Sequence, residues 1–157
     1  MEVKRHTIKL VVNNKPDVLA RVAGVFSARG FNIESISANV TMDPNVTKIR
    51  IVTMGDTSTV TKIQNQLKKL VDVLSVSHVR ESKQGQREMI LMQVKLTDKN
   101  RNDVMKAIDE LQCKIVTRKS DYCILEATGS EEELEILVQR FEPLGIEDLS
   151  RSGVVAL

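Results

Sequence analysis

The chain has 157 residues, 41% of them hydrophobic, enough for one ordinary domain or two small ones with buried cores. Lys and Arg total 23 against 21 Asp and Glu, and a net charge of +2 creates no field that would draw nucleic acid or an acidic membrane. No apolar run approaches the roughly 20 residues of a membrane span, and MEVKRHTIKLVVNN has neither a signal-peptide core nor a cleavage site, so a cytoplasmic protein is expected.

The first elements are marked by periodicity. Ile8–Val12 predicts a strand, and apolar positions 18, 19, 22, 25 and 26 then follow the stripe of a helix lying on a sheet, with Pro16 in its first turn. Arg29-Gly30 ends that helix with a cation and a residue free to take positive φ. Two β-rich runs, Ile33–Thr41 and Lys48–Met54, flank the turn MDPN and predict a hairpin. Val60, Ile63, Leu67 and Leu70 make a second helical stripe, and VLSVSHV (Val73–Val79) reads as a closing strand.

ESKQGQ (Glu81–Gln86) is polar and holds a glycine, so it reads as a linker. Beyond it the pattern repeats: a strand at Met89–Leu96, a helical face at Val104, Met105, Ile108 and Leu111, strands at Lys114–Thr117 and Cys123–Ala127 around RKSD, and a last helical stripe at Leu134, Leu137, Val138 and Phe141. Ser130 followed by Glu133 fits a capping box at the start of that helix. A strand from Gly145 towards Leu149 ends the pattern before the tail RSGVVAL.

Two copies of β-α-β-β-α-β predict the α+β class, as two tandem ferredoxin-like βαββαβ domains, 1–81 and 87–157, joined by a linker at 82–86. Each sheet carries both helices on one face. The other face would expose alternate residues such as Ile36, Ala38, Val40, Ile49 and Ile51, which predicts pairing with another domain or subunit.

Most catalytic chemistries lack their residues. His6 and His78 have no Ser, Cys or Asp at a triad-like spacing, and there is no GxGxxG or GxxxxGK[ST] loop. Cys113 and Cys123 lie ten apart without a CxxC or a histidine pair, so no metal set forms and buried reduced thiols are expected. An RNA-binding version of this fold stacks bases on strand aromatics, whereas the aromatics here are Phe26, Phe31, Tyr122 and Phe141, with Phe26 and Phe141 on helical stripes. Glu131, Glu132, Glu133 and Glu135 read as a solvated face near a helix N-terminus.

NNKPDVLARVAGVFSARGFNIESISA, DPNVTKIRIVTMGD, QLKKLVDVLSV, QREMILMQVK and RSGVVAL together resemble, over essentially the whole chain, the small regulatory subunit of acetolactate synthase (acetohydroxyacid synthase). FSARGFNIES and LVDVL are specific to that family, while the opening loop pattern is shared by ACT domains in general. The resemblance implies an N-terminal ACT domain, a C-terminal ACT-like domain and no catalytic residues. It implies a partner, the large catalytic subunit, which carries thiamine diphosphate, Mg and FAD. It further implies activation of that partner, feedback control by valine or another branched-chain amino acid, and a homodimer through ACT domains with the effector at the interface. Carried over, one wall of the effector site is Asn14, Asp17, Val18 and Leu19, and the other, from the second copy, is Asn32 and Ile33. A stand-alone ACT-type amino-acid sensor is the alternative, and an enzyme on the same scaffold a third reading.

The residue chemistry suits that placement. A helix N-terminus offers backbone N–H groups to a carboxylate, the two asparagines can serve a polar head, and Val18, Leu19 and Ile33 suit an aliphatic side chain. Asp17 stands where the family commonly has glycine. A carboxylate about 4 Å from the ligand's own would cost roughly 1–4 kcal/mol, about tenfold to a thousandfold in affinity, which predicts weak or absent valine inhibition. The corresponding loop of the second domain, TDKNRND (Thr97–Asp103), lacks the pattern, and no ligand is expected there.

Overall fold

Ile8, Leu10 and Val12 alternate with Thr7, Lys9 and Val11 along the ten-residue strand β1 (Lys4–Asn13), and only the first set is fully buried. That alternation places one face of β1 under two helices, α1 (Val18–Ser27) and α2 (Thr57–Leu67). β2 (Ser35–Val40), β3 (Val46–Gly55) and β4 (Val73–Val79) complete an antiparallel sheet in the order β2-β3-β1-β4. The computed structural model describes residues 3–79 and 85–156 of the chain, which divides into the units Met1–Ser82 and Lys83–Leu157. Of the linker expected at 82–86, residues 82–84 lie outside the described residues, and Gln86 already belongs to the next strand.

Rows across the first sheet show which side is covered. Ile36–Ile51–Ile8, Ala38–Ile49–Leu10 and Val40–Thr47–Val12 lie on the helix side, and Ser37–Arg50–Lys9 and Asn39–Lys48–Val11 on the other. The expectation that Ile36, Ala38, Val40, Ile49 and Ile51 line the open face is therefore corrected. Ile49 and Ile51 are buried beneath the helices, and the other face carries Thr7, Lys9, Ser37, Asn39, Lys48 and Arg50 together with Val11 and the buried Val52. Ile36 and Val40, on the edge strand β2, are exposed. Thr41 N–H donates to the Val46 carbonyl at 2.9 Å, so the alternating ladder turns the N–H groups of Ile36, Ala38 and Val40 outward.

Local chemistry accounts for the ends of the elements. Gly30 takes φ +68°, its N–H donates to Ser27 O and that of Phe31 to Phe26 O, the two bonds of a Schellman stop. Pro16 precedes the N-cap, Asp17, instead of lying in the first helical turn as expected. β2 starts two residues later than Ile33, because Ile33 packs on the core and the Asn32 carbonyl accepts the Thr53 hydroxyl at 2.7 Å. His6 and His78 meet, with Nδ1 and Nε2 3.0 Å apart, while His6 Nε2–H donates to the Gly55 carbonyl. A neutral His6 bonded in this way accepts from His78, which fastens β1 to both neighbours in the sheet.

The second unit repeats the plan. β5 (Gln86–Lys95), α3 (Arg101–Glu110), β6 (Lys114–Arg118), β7 (Tyr122–Gly129), α4 (Glu131–Gly145) and β8 (Ile146–Arg151) form a sheet in the order β6-β7-β5-β8. The tail adds an element that the sequence did not suggest: β9 (Val155–Ala156) pairs with Gln86 and Arg87, where β8 no longer reaches β5. Ser152, whose side chain accepts from Met89 N–H, and Gly153 at φ +76° make the break between them. Cys113 and Cys123 are buried in this core, and burial pushes the Cys113 thiol up to about 11.

Ser130 and Glu133 form the expected capping box, with Ser130 N–H donating to Glu133 at 2.7 Å and Glu133 N–H to Ser130 Oγ at 3.3 Å. Ser130→Ala is expected to cost about 1 kcal/mol of stability in urea unfolding; an unchanged midpoint would mean that the box contributes nothing.

Candidate functional site

Strand β1 ends at Asn13 and α1 begins at Val18, and the loop between them forms one side of a hollow of about 260 Å³. That suits a small ligand, being below the roughly 300–1,000 Å³ of drug-sized pockets. Asn14, Val18 and Leu19 line it, as the sequence suggested. The remaining walls are new: Val12, Asn13, Lys15 and Pro16 from the loop side, and Ala38, Val40, Thr47 and Ile49 from the sheet. Leu19 belongs to the apolar stripe of α1 yet stays 45% exposed, because it faces this hollow and not the core.

A buried carboxylate far along the chain fixes the loop. Asp72, in the turn between α2 and β4, has a side chain only 7% exposed. It accepts from Lys15 Nζ at 2.7 Å, from Asn13 Nδ2 at 3.0 Å and from Arg21 Nη2, while its backbone carbonyl accepts Asn13 N–H at 2.8 Å. Lys15 first, then Asn13 and Arg21, hold its carboxyl well below the usual carboxylate range. Asn14 is tied separately: its N–H donates to Asn45 O and its Nδ2 to Pro44 O at 2.9 Å.

Asp17 does not line the hollow. Its carboxylate pairs with Arg21 at 3.0 Å, one helical turn on, and its side chain is 65% exposed. It makes no side-chain cap, so the first N–H groups of α1 receive no bond from it. Arg21 thus bridges Asp17 to Asp72, and two cations balance two carboxylates around the loop.

Asn32 and Ile33 lie past the other end of α1, a helix about 15 Å long, and one chain does not bring them to the hollow. In the equivalent loop of the second unit, Asn100 Oδ1 accepts from Thr97 N–H, and its Nδ2 donates to the carbonyls of Lys95 and Leu144, each at 2.9 Å. Among the described residues, no group of three or more His, Cys, Asp or Glu is arranged to hold a metal, and no helix is long and apolar enough to cross a membrane.

Two sheet-and-helix units in tandem, the first with a small hollow where its first strand meets its first helix, define a regulatory protein of the ACT class. Residues 8–75 match the model of the AHAS small subunit-like ACT domain, and residues 87–157 that of the small subunit of acetolactate synthase. The chain is 35% identical over 152 residues to the acetolactate synthase small subunit of Mycolicibacterium smegmatis, covering 97% of this chain and 89% of that one. It is 32% identical over 152 residues to the Mycobacterium leprae small subunit, covering 97% and 90%. The crystal structure of the acetolactate synthase small subunit from Thermotoga maritima superposes with a TM-score of 0.86 at 29% identity, covering 98% of this chain and 96% of that one. The chain belongs to the family of acetolactate synthase small subunits.

Proposed function

We propose that this regulatory subunit binds the large catalytic subunit of acetolactate synthase, raises its activity, and makes it sensitive to a branched-chain amino acid, valine first. Thiamine diphosphate, Mg and FAD reside on that partner. The effector lies in the hollow at the N-terminus of α1, where a carboxylate meets the helix N–H groups and an aliphatic side chain meets Val18, Leu19 and Val40.

The observation that carries this reading is the position of the hollow beside β2, the edge strand of its sheet, whose end it includes through Ala38 and Val40. Antiparallel pairing of β2 with its copy sets the start of the second β2 against the end of the first. Asn32 and Ile33 precede β2, so the second copy would deliver them to the open side of the hollow. This gives a homodimer with two equivalent sites, each completed by the other chain.

Reconstitution with the large subunit tests the whole, by measuring acetolactate formation with and without valine, leucine and isoleucine. Activation with inhibition by at least one of the three is expected; no change in activity on mixing would refute the assignment. Asp17 bears on the strength of inhibition. Because Arg21 draws its carboxylate aside and solvent reaches it, the repulsion falls to about 1 kcal/mol, the low end of the range expected from the sequence. Asp17→Gly is expected to lower the half-inhibiting valine concentration about fivefold to tenfold, and a gain of a thousandfold would mean that the carboxylate points into the site.

A further inference from the structure

We propose that the hydroxyl of Thr47 is a hydrogen-bonding partner of the amino-acid head group in the hollow, an inference that rests on the effector reading above. Thr47 stands on β3 in the row Val40–Thr47–Val12, on the helix side of the sheet and level with the β1–α1 loop. All three residues of that row line the hollow. Four described side chains in its walls carry hydrogen-bonding groups beyond the backbone: Asn13, Asn14, Lys15 and Thr47.

Three of them are engaged. Asn13 Nδ2 and Lys15 Nζ donate to Asp72, and Asn14 Nδ2 donates to Pro44 O. Thr47 Oγ1 is buried and has no hydrogen-bond partner among the described residues. A buried hydroxyl left in that state costs free energy, and native proteins keep such a group where something outside the chain satisfies it. The hydroxyl is both donor and acceptor, so it can serve either end of a zwitterionic α-amino acid. The Asp72 network has a complementary effect: it occupies Asn13 Nδ2 and pairs the Lys15 cation with a carboxylate.

The test compares Thr47→Val, which keeps the shape and deletes the hydroxyl, with Thr47→Ser, which keeps the hydroxyl and deletes the methyl. Full-length chains are titrated with valine, leucine and isoleucine, reading the thermal midpoint of each chain alone and inhibition of the reconstituted complex. Without amino acid, Thr47→Val is expected to match or exceed the unaltered chain in thermal midpoint, since an orphaned group is gone. With amino acid, its half-effect concentration should rise tenfold to a hundredfold, roughly what a hydrogen bond to a charged group contributes. Thr47→Ser should stay within about threefold of the unaltered chain, as one methyl in a half-open hollow contributes little. A Thr47→Val chain that responds like the unaltered one overturns the proposal, and so does an equal loss in Thr47→Ser, which would assign the effect to shape. If the unaltered chain itself responds to none of the three amino acids in either readout, the effector site falls, and this inference with it.

Discussion

Ile36→Pro is expected to leave a folded chain that sediments as a monomer where the unaltered chain sediments as a dimer, and to abolish the amino-acid response of the reconstituted complex. Ile36 is on the edge strand, 40% exposed, and its N–H points away from β3. Proline removes that outward donor and leaves the inner ladder to β3 unaltered, and an outward-facing edge position is one of the few in a sheet where proline is accepted. Ile36 is not part of the hollow, so a lost response would follow from lost pairing and not from a damaged cavity. Analytical ultracentrifugation at micromolar concentration decides the first half. A dimer that persists in the variant would move the interface elsewhere, and a monomer that still responds to valine would make the site complete within one chain.

Phe26→Ala is expected to cost about 3–5 kcal/mol in urea unfolding, the largest stability effect foreseen for a single substitution. Phe26 is 1% exposed and packs among Ile8, Leu10, Val22 and Ile63, so truncation removes a ring from a close-packed core and leaves a cavity. Against a typical total of about 5–15 kcal/mol, a loss of that size would populate unfolded chains at moderate temperature. Leu19→Ala, on the same apolar stripe, should cost under about 1 kcal/mol because Leu19 is half exposed over the hollow. Equal costs at the two positions would mean that Leu19 is a core residue and the hollow is closed.

The order of elements was legible because local signals agreed with tertiary need. The stripe of α1, Gly30 at its end and the Ser130–Glu133 box each act within a few residues, and the fold uses all three as written. The side of the sheet on which Ile36, Ala38 and Val40 stand was not legible. A period of two separates the faces of a strand without saying which one the helices cover, and only the register with Ile49 and Ile51 decides it. β9 escaped notice because two residues carry no periodicity, and its partner lies at the far end of the unit.

The candidate site divides the same way. Asn14, Val18 and Leu19 could be placed from the loop alone, whereas Ala38, Val40, Thr47 and Ile49 reach the hollow through strand pairing. The i,i+4 spacing of Asp17 and Arg21 was available as a sign that the carboxylate has a local partner. Asp72 was not, because nothing near LVDVL hints at contacts more than fifty residues back.

The distance between the two ends of α1 sets how such a subunit would behave in a cell. If a ligand needs the loop before α1 from one chain and the residues after α1 from another, ligand capture and chain association form one linked equilibrium. The half-saturating amino-acid concentration would then drift upward as the subunit is diluted. Expression level would become a second dial on feedback, set by how much protein is made and not by any change in its residues.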